Sequence, residues 1–276
     1  MKLIKLAALI VAALLAACST DTPSQTPNPI HGQLLVSQME NGQHVVELYS
    51  ENPLVNGFNT ISLKFKDKAT GNYLEGADVS WMPVMHMASM SHSCPFSEIE
   101  VHPSDPSVYV GYIAFQMAQN DTDYWTLKID YTVNGADFSV QDNISVAPGA
   151  LRTVNSFMGS DGKKYVVALA GPKAPQVALN DMTAVVYRME SMMQFVPVSG
   201  YTLKIDPRMP GMGNHGSPNN TDLIMIGNFY RGKLSLTMTG LWRINLILEG
   251  PSGDVIKGEP VTEDNPQSSI FFELEF

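Results

Sequence analysis

Cysteine, basic residues and long apolar runs are all scarce in this chain, and each shortage excludes something. Two cysteines, Cys18 and Cys94, occur in 276 residues. If Cys18 carries a lipid, as argued below, Cys94 stands alone and no internal disulfide can close. Lysine and arginine number 17 against 27 aspartates and glutamates, a formal charge of −10. An acidic surface argues against nucleic acid or an anionic lipid face as partner. After the amino terminus no apolar stretch approaches membrane-spanning length, which predicts a soluble folded part. Catalytic motifs are missing too: there is no G-x-S-x-G elbow, H-E-x-x-H or phosphate-binding glycine loop. Cys94 with His92 makes a nucleophile and base only on paper, because nothing in the sequence orients the imidazole. No enzyme is expected.

The amino terminus reads as an export signal. Lys2 and Lys5 precede an uncharged apolar run from Leu6 to Ala17, too short to span a bilayer but suited to a signal-peptide core. The run ends in Leu15-Ala16-Ala17-Cys18, which looks like a lipobox whose cysteine carries the lipid. Cleavage would remove both lysines and leave the mature chain at about −12. Residues 1–18 are therefore read as a lipoprotein signal peptide with its cysteine. The polar, proline-rich stretch 19–31 is read as a tether that cannot bury enough apolar surface to fold. Ser19 after the cysteine leans toward anchoring in the outer membrane, facing the periplasm.

Beyond the tether, alternation is short and turns are frequent. Thr60 to Lys66 alternates with period two, and Gln43 to Tyr49, Ala77 to Trp81, Val108 to Phe115, Trp125 to Val133 and Asp137 to Val146 read as further strands. No segment carries a convincing capped helix. After Pro148-Gly149 the same order returns. Thr183 to Arg188 matches Thr60 to Phe65, and Tyr201 to Ile205 matches Ala77 to Trp81. Arg208-Met209-Pro210-Gly211-Met212 falls where Trp81-Met82-Pro83-Val84-Met85 fell. Tyr230-Arg231-Gly232 parallels Tyr109-Val110-Gly111, Met238 parallels Met117, and a Trp strand follows in each copy, at Trp125 and Trp242. The expected architecture is all-β: two tandem immunoglobulin-like antiparallel β-sandwich domains, 32–148 and 149–276. Trp125 and Trp242 should fill the two cores.

The count that stands out is methionine, at 16. Between Met82 and Cys94 stand four methionines, two histidines and a cysteine within thirteen positions. Together with Met209-Pro210-Gly211-Met212-Gly213-Asn214-His215 and Met238, this series resembles the YtkA-like and FixH-like family of small exported β-sandwich domains. Its hallmark is a Met-Pro-x-Met-x-His type loop, a later methionine and a Trp strand. The first copy departs from the pattern where Ala118-Gln119-Asn120-Asp121 replaces a glycine-containing approach to Trp125. The resemblance spans about residues 40–133 and 165–248 and implies copper handling or cytochrome oxidase assembly.

Chemistry points the same way without the family. Thioether, imidazole and thiolate select monovalent copper, whereas hard cations want oxygen; the loop from Met82 to Cys94 holds no carboxylate, which argues against calcium and magnesium. The donor pool in the first copy is Met85, His86, Met87, Met90 and His92, with Cys94 as an optional thiolate and Met117 reaching in from a facing strand. In the second copy it is Met209, Met212, His215 and Met238. His102 sits in a turn and is expected to be solvated, and Met192-Met193 is expected to pack. The leading expectation is a lipid-anchored periplasmic copper(I) carrier or assembly factor that serves a protein acceptor. The competing one is a non-catalytic interaction or adhesion module with Met-rich contact loops.

Overall fold

The computed structural model describes residues 28–276; the signal segment, Cys18 and the tether as far as residue 27 lie outside the described residues. The described chain is all-β, its strands paired antiparallel, with one 3₁₀ turn at Pro210–Met212. No helix among the described residues is long and apolar enough to cross a membrane.

Nine strands precede residue 149. They are β1 (Leu34–Glu40), β2 (His44–Ser50), β3 (Gly57–Asp67), β4 (Asp78–His86) and β5 (Ser91–His92). After them come β6 (Glu100–His102), β7 (Asp105–Phe115), β8 (Tyr124–Val133) and β9 (Ala136–Ile144). They form two sheets, ordered β1-β2-β3-β7-β6 and β5-β4-β8-β9. The alternation read in Thr60–Lys66 puts Ile61, Leu63 and Phe65 into a core shared with Met85, Trp125 and Ile129 from the opposite sheet.

The later strands are β10 (Val154–Met158), β11 (Lys164–Gly171), β12 (Leu179–Ser191), β13 (Gln194–Pro197), β14 (Thr202–Met209) and β15 (His215–Gly216). They continue with β16 (Thr221–Ile226), β17 (Phe229–Ser235), β18 (Leu241–Glu249), β19 (Val255–Lys257) and β20 (Phe271–Glu275). Here β10-β11-β12-β17-β16 repeats the pairing of β1-β2-β3-β7-β6, and β15-β14-β18-β20 repeats β5-β4-β8-β9. Because β16 also pairs with β14, the two sets join into one sheet around a second core that contains Met182, Met209 and Trp242.

The repetition reaches individual hydrogen bonds. Asn59 bonds the backbone of Val55 and Gly57, and Asn180 bonds that of Gln176 and Ala178 in the same pattern. Asn59 stands opposite Ile113, and Asn180 opposite Leu234. Register therefore equates Thr60 with Asp181, two positions from the match suggested by the strand letters. In both Tyr-x-Gly segments the glycine leaves no room for a Cβ: Gly111 faces the Trp81 ring and Gly232 the Thr221 carbonyl.

A third cluster joins the halves. Tyr112 and Ala114 of β7 pack with Val154, Val166, Ala168, Val185 and Tyr187, backed by Phe58, Phe195 and Phe229. This explains why Ala184 to Tyr187 is apolar at every position: one face of β12 serves the second core, and the other meets the first half.

Candidate metal centre

The site begins with one methionine in each half. Met85 lies opposite His92 on one side and Trp125 on the other, and Met209 lies opposite His215 and is aligned with Trp242 by the same register. Residues opposite one another share a face, so each half carries a Met–His–Trp row on one face of a sheet. The indole Nε1–H of Trp125 donates to the Met117 carbonyl at 3.0 Å, and that of Trp242 to the Met238 carbonyl at 3.0 Å. The repeated unit is Pro83-Val84-Met85 with Pro207-Arg208-Met209. The Met-Pro-x-Met letters of the sequence are thus offset: Met209, and not Met212, is the counterpart of Met85.

The first-half donors separate by face. Met85 and Cys94 are fully buried within the core. Burial pushes the Cys94 thiol well up from its ordinary value, and the residue does not line the cleft that holds Met87 and Met90. His86 lies on the other face of β4, stacked on Tyr124 at 5.0 Å, with Nε2 paired to the Thr126 hydroxyl at 2.9 Å and Nδ1 facing that of Ser91. Both of its ring nitrogens are engaged. Met87, Met90, His92 and Met117 line one cleft of about 270 Å³.

The opposite wall of that cleft comes from the second half, through Met189, Met192, Phe195, Ser156 and Lys164. Val185, Tyr187 and Met189 share the face of β12 that meets the first half, and Phe195 of β13 stands opposite Met189. Gln116, Ser156, Lys164, Met189 and Phe195 are the cleft residues that sequence reasoning missed, and Met192, expected only to pack, joins them. The one signal for them was the doubly apolar run leading into Met189.

Orientation within the cleft favours a soft ligand. The Nδ1–H of His92 donates to the Ser93 carbonyl at 2.7 Å, and the ring meets Trp125 edge-on. That bond fixes the tautomer and leaves the Nε2 lone pair without a hydrogen-bond partner among the described residues, the arrangement a metal-binding imidazole needs. No carboxylate lines the cleft and Lys164 stands exposed at its rim, a poor setting for a hard divalent ion. The Gln116 carboxamide nitrogen is buried there unpaired. Among the described residues no group of three or more His, Cys, Asp or Glu side chains is placed to hold a metal. The sulfur and imidazole groups that line the cleft are those of Met87, Met90, Met117, Met189, Met192 and His92.

The second-half donors do not gather in the same way. Met209 and Met238 pack in or against the second core, while Met212 is exposed between β14 and β15 and His215 is exposed at the start of β15. His102 bonds Ser104 in its turn. His44 is buried against Tyr131, its Nδ1 3.0 Å from the phenol oxygen, and does not line the methionine cleft.

No known protein family matches the chain, and no curated protein does. Solved structures do align. One belongs to FdeC, described as a broadly conserved Escherichia coli adhesin, at 15% identity and TM-score 0.26, covering 88% of this chain and 66% of that one. Another is a conserved domain protein from Bacillus anthracis, at 9% identity and TM-score 0.26, covering 90% and 92%. The chain thus spans just under two thirds of the adhesin chain. The strands and their pairing make the chain an all-β protein of antiparallel sheets over its described residues.

Proposed function

We propose that this protein is a lipid-anchored envelope protein of two tandem immunoglobulin-like domains, 32–148 and 149–276, that binds monovalent copper without catalysing a reaction. The carrying observation is the single cleft that gathers Met87, Met90, Met117 and a tautomer-fixed His92. Monovalent copper takes few soft donors with little geometric demand, and these are thioethers and one imidazole. Anchoring through Cys18 would hold the cleft near the membrane, where a protein acceptor could receive the ion. This is the carrier or assembly role that the likeness to YtkA-like and FixH-like domains suggests.

Titration of the mature protein with copper(I) under reducing conditions tests the reading. Met87→Leu with Met90→Leu should weaken binding by about tenfold or more, a change of roughly 1.4 kcal/mol, although leucine preserves packing volume and costs under about 1.5 kcal/mol of stability. Unchanged affinity in that variant would remove copper from the reading. The interaction-module reading would then take its place, favoured by the exposure of Met90 and Met192 as an apolar contact patch.

A further inference from the structure

We infer that the copper site is bipartite: Met189 and Met192 of the second half complete the donor set, so that metal binding and the docking of the halves are one linked equilibrium. This rests on the copper reading above. Neither residue is in the donor pool drawn from the sequence, where Met192 is expected to pack; it lies at the β12–β13 turn, and Met189 lies on β12.

Three observations place them. Both line the cleft that holds Met87, Met90, His92 and Met117. The turn bearing Met192 is fastened to the loop bearing His92, because the Ser93 N–H donates to the Met192 carbonyl at 2.8 Å. Met189 follows Val185 and Tyr187 on the strand face that the interface buries, so its position is set by the docking itself. Thioethers from both halves thus face one space with little rearrangement required, which lowers the ordering cost of gathering them around an ion. An ion held from both sides binds the docked arrangement better than an undocked one and stabilises docking by that difference. The second half's own Met–His–Trp row lacks such a facing wall: His215 and Met212 are exposed.

The experiment uses the full mature protein with Met189→Leu and Met192→Leu combined, and compares it with Met193→Leu, an exposed neighbour that does not line the cleft. Copper(I) affinity is read by competition with a chromogenic chelator, and the melting temperature is measured with and without copper(I). The expected result is about a tenfold or greater loss of affinity in the double variant, with its copper-induced rise in melting temperature reduced and its copper-free melting close to wild type. Met193→Leu should behave as wild type in both measurements. If the double variant binds as tightly as wild type while Met87→Leu with Met90→Leu does not, the bipartite site is overturned and the copper reading stands. An equal loss in Met193→Leu would also overturn it, since the effect would not belong to the cleft. Failure of the wild-type protein to take copper from the chelator overturns both.

Discussion

The hydroxyls of Tyr112 and Tyr187 lie 2.7 Å apart across the interface between the two halves, both nearly excluded from solvent. Burial pushes both phenols up in pKa, so the pair is neutral at every physiological pH. The arrangement makes the docking of the halves measurable. Among the described residues, Tyr112→Phe leaves the Tyr187 hydroxyl with only a long 3.4 Å bond to the Phe96 carbonyl, and Tyr187→Phe leaves that of Tyr112 with no partner. Each single variant should cost about 1–3 kcal/mol, whereas the double phenylalanine variant should cost less than the two losses added. Urea unfolding of the four proteins checks this. Neutral single variants would mean that the hydroxyls reach water, and the halves would not be docked in solution as the structure has them.

Much of the fold was legible in the sequence because strand alternation and core burial have the same period. Thr60–Lys66 fell inside β3, and the paired landmarks Met117–Trp125 and Met238–Trp242 proved to make the same indole-to-carbonyl bond. Letters alone slipped where they repeat. Met209-Pro210-Gly211-Met212 spells the motif of Met82 to Met85, but register is set by pairing and pleat, which align Pro207 and Met209 with Pro83 and Met85. The lining of the methionine cleft was half legible for a related reason. Local density marked the loop from Met82 to Cys94, but alternation sends His86 and Met85 to opposite faces of β4. A distant strand supplies Met189, and nothing local to either segment encodes that meeting.

Membrane attachment is open to a direct check. The lipobox reading of Leu15-Ala16-Ala17-Cys18 makes the thiol of Cys18 the lipid acceptor. Cys18→Ser should leave the precursor unprocessed or move the protein to the soluble fraction, with no change in its folded β-rich spectrum. Membrane fractionation and intact mass report the outcome. A variant that still fractionates with membranes at the mature mass would show that the anchor is not this cysteine.

Acid stability should depend on Asp105, at the start of β7. Its Oδ1 accepts the Ser107 hydroxyl at 2.7 Å and the Ser107 N–H at 3.0 Å, while Oδ2 faces the Lys64 ammonium at 3.8 Å. The Ser107 hydroxyl bond lowers the carboxyl pKa most; partial burial opposes it, and the Ser107 N–H, Lys64 and His102 lower it further, so the net shift is downward from 3.8. A carboxyl whose folded pKa is depressed favours the folded state fully above its unfolded value, and the contribution disappears as pH falls through the lowered one. Lys64 sharpens the effect. Its side chain is nearly buried, lies over the Tyr73 ring at 3.9 Å and has no other ion pair among the described residues. Asp105→Asn should therefore cost about 1 kcal/mol or more at neutral pH, the scale of a hydrogen bond to a charged group. The gap between wild type and variant should hold from pH 7 down to about pH 5, then close as the wild-type carboxyl protonates. Chemical unfolding of both proteins across that range gives the gap directly, and one that stayed constant into the acid limb would show that the ionised carboxylate contributes nothing there.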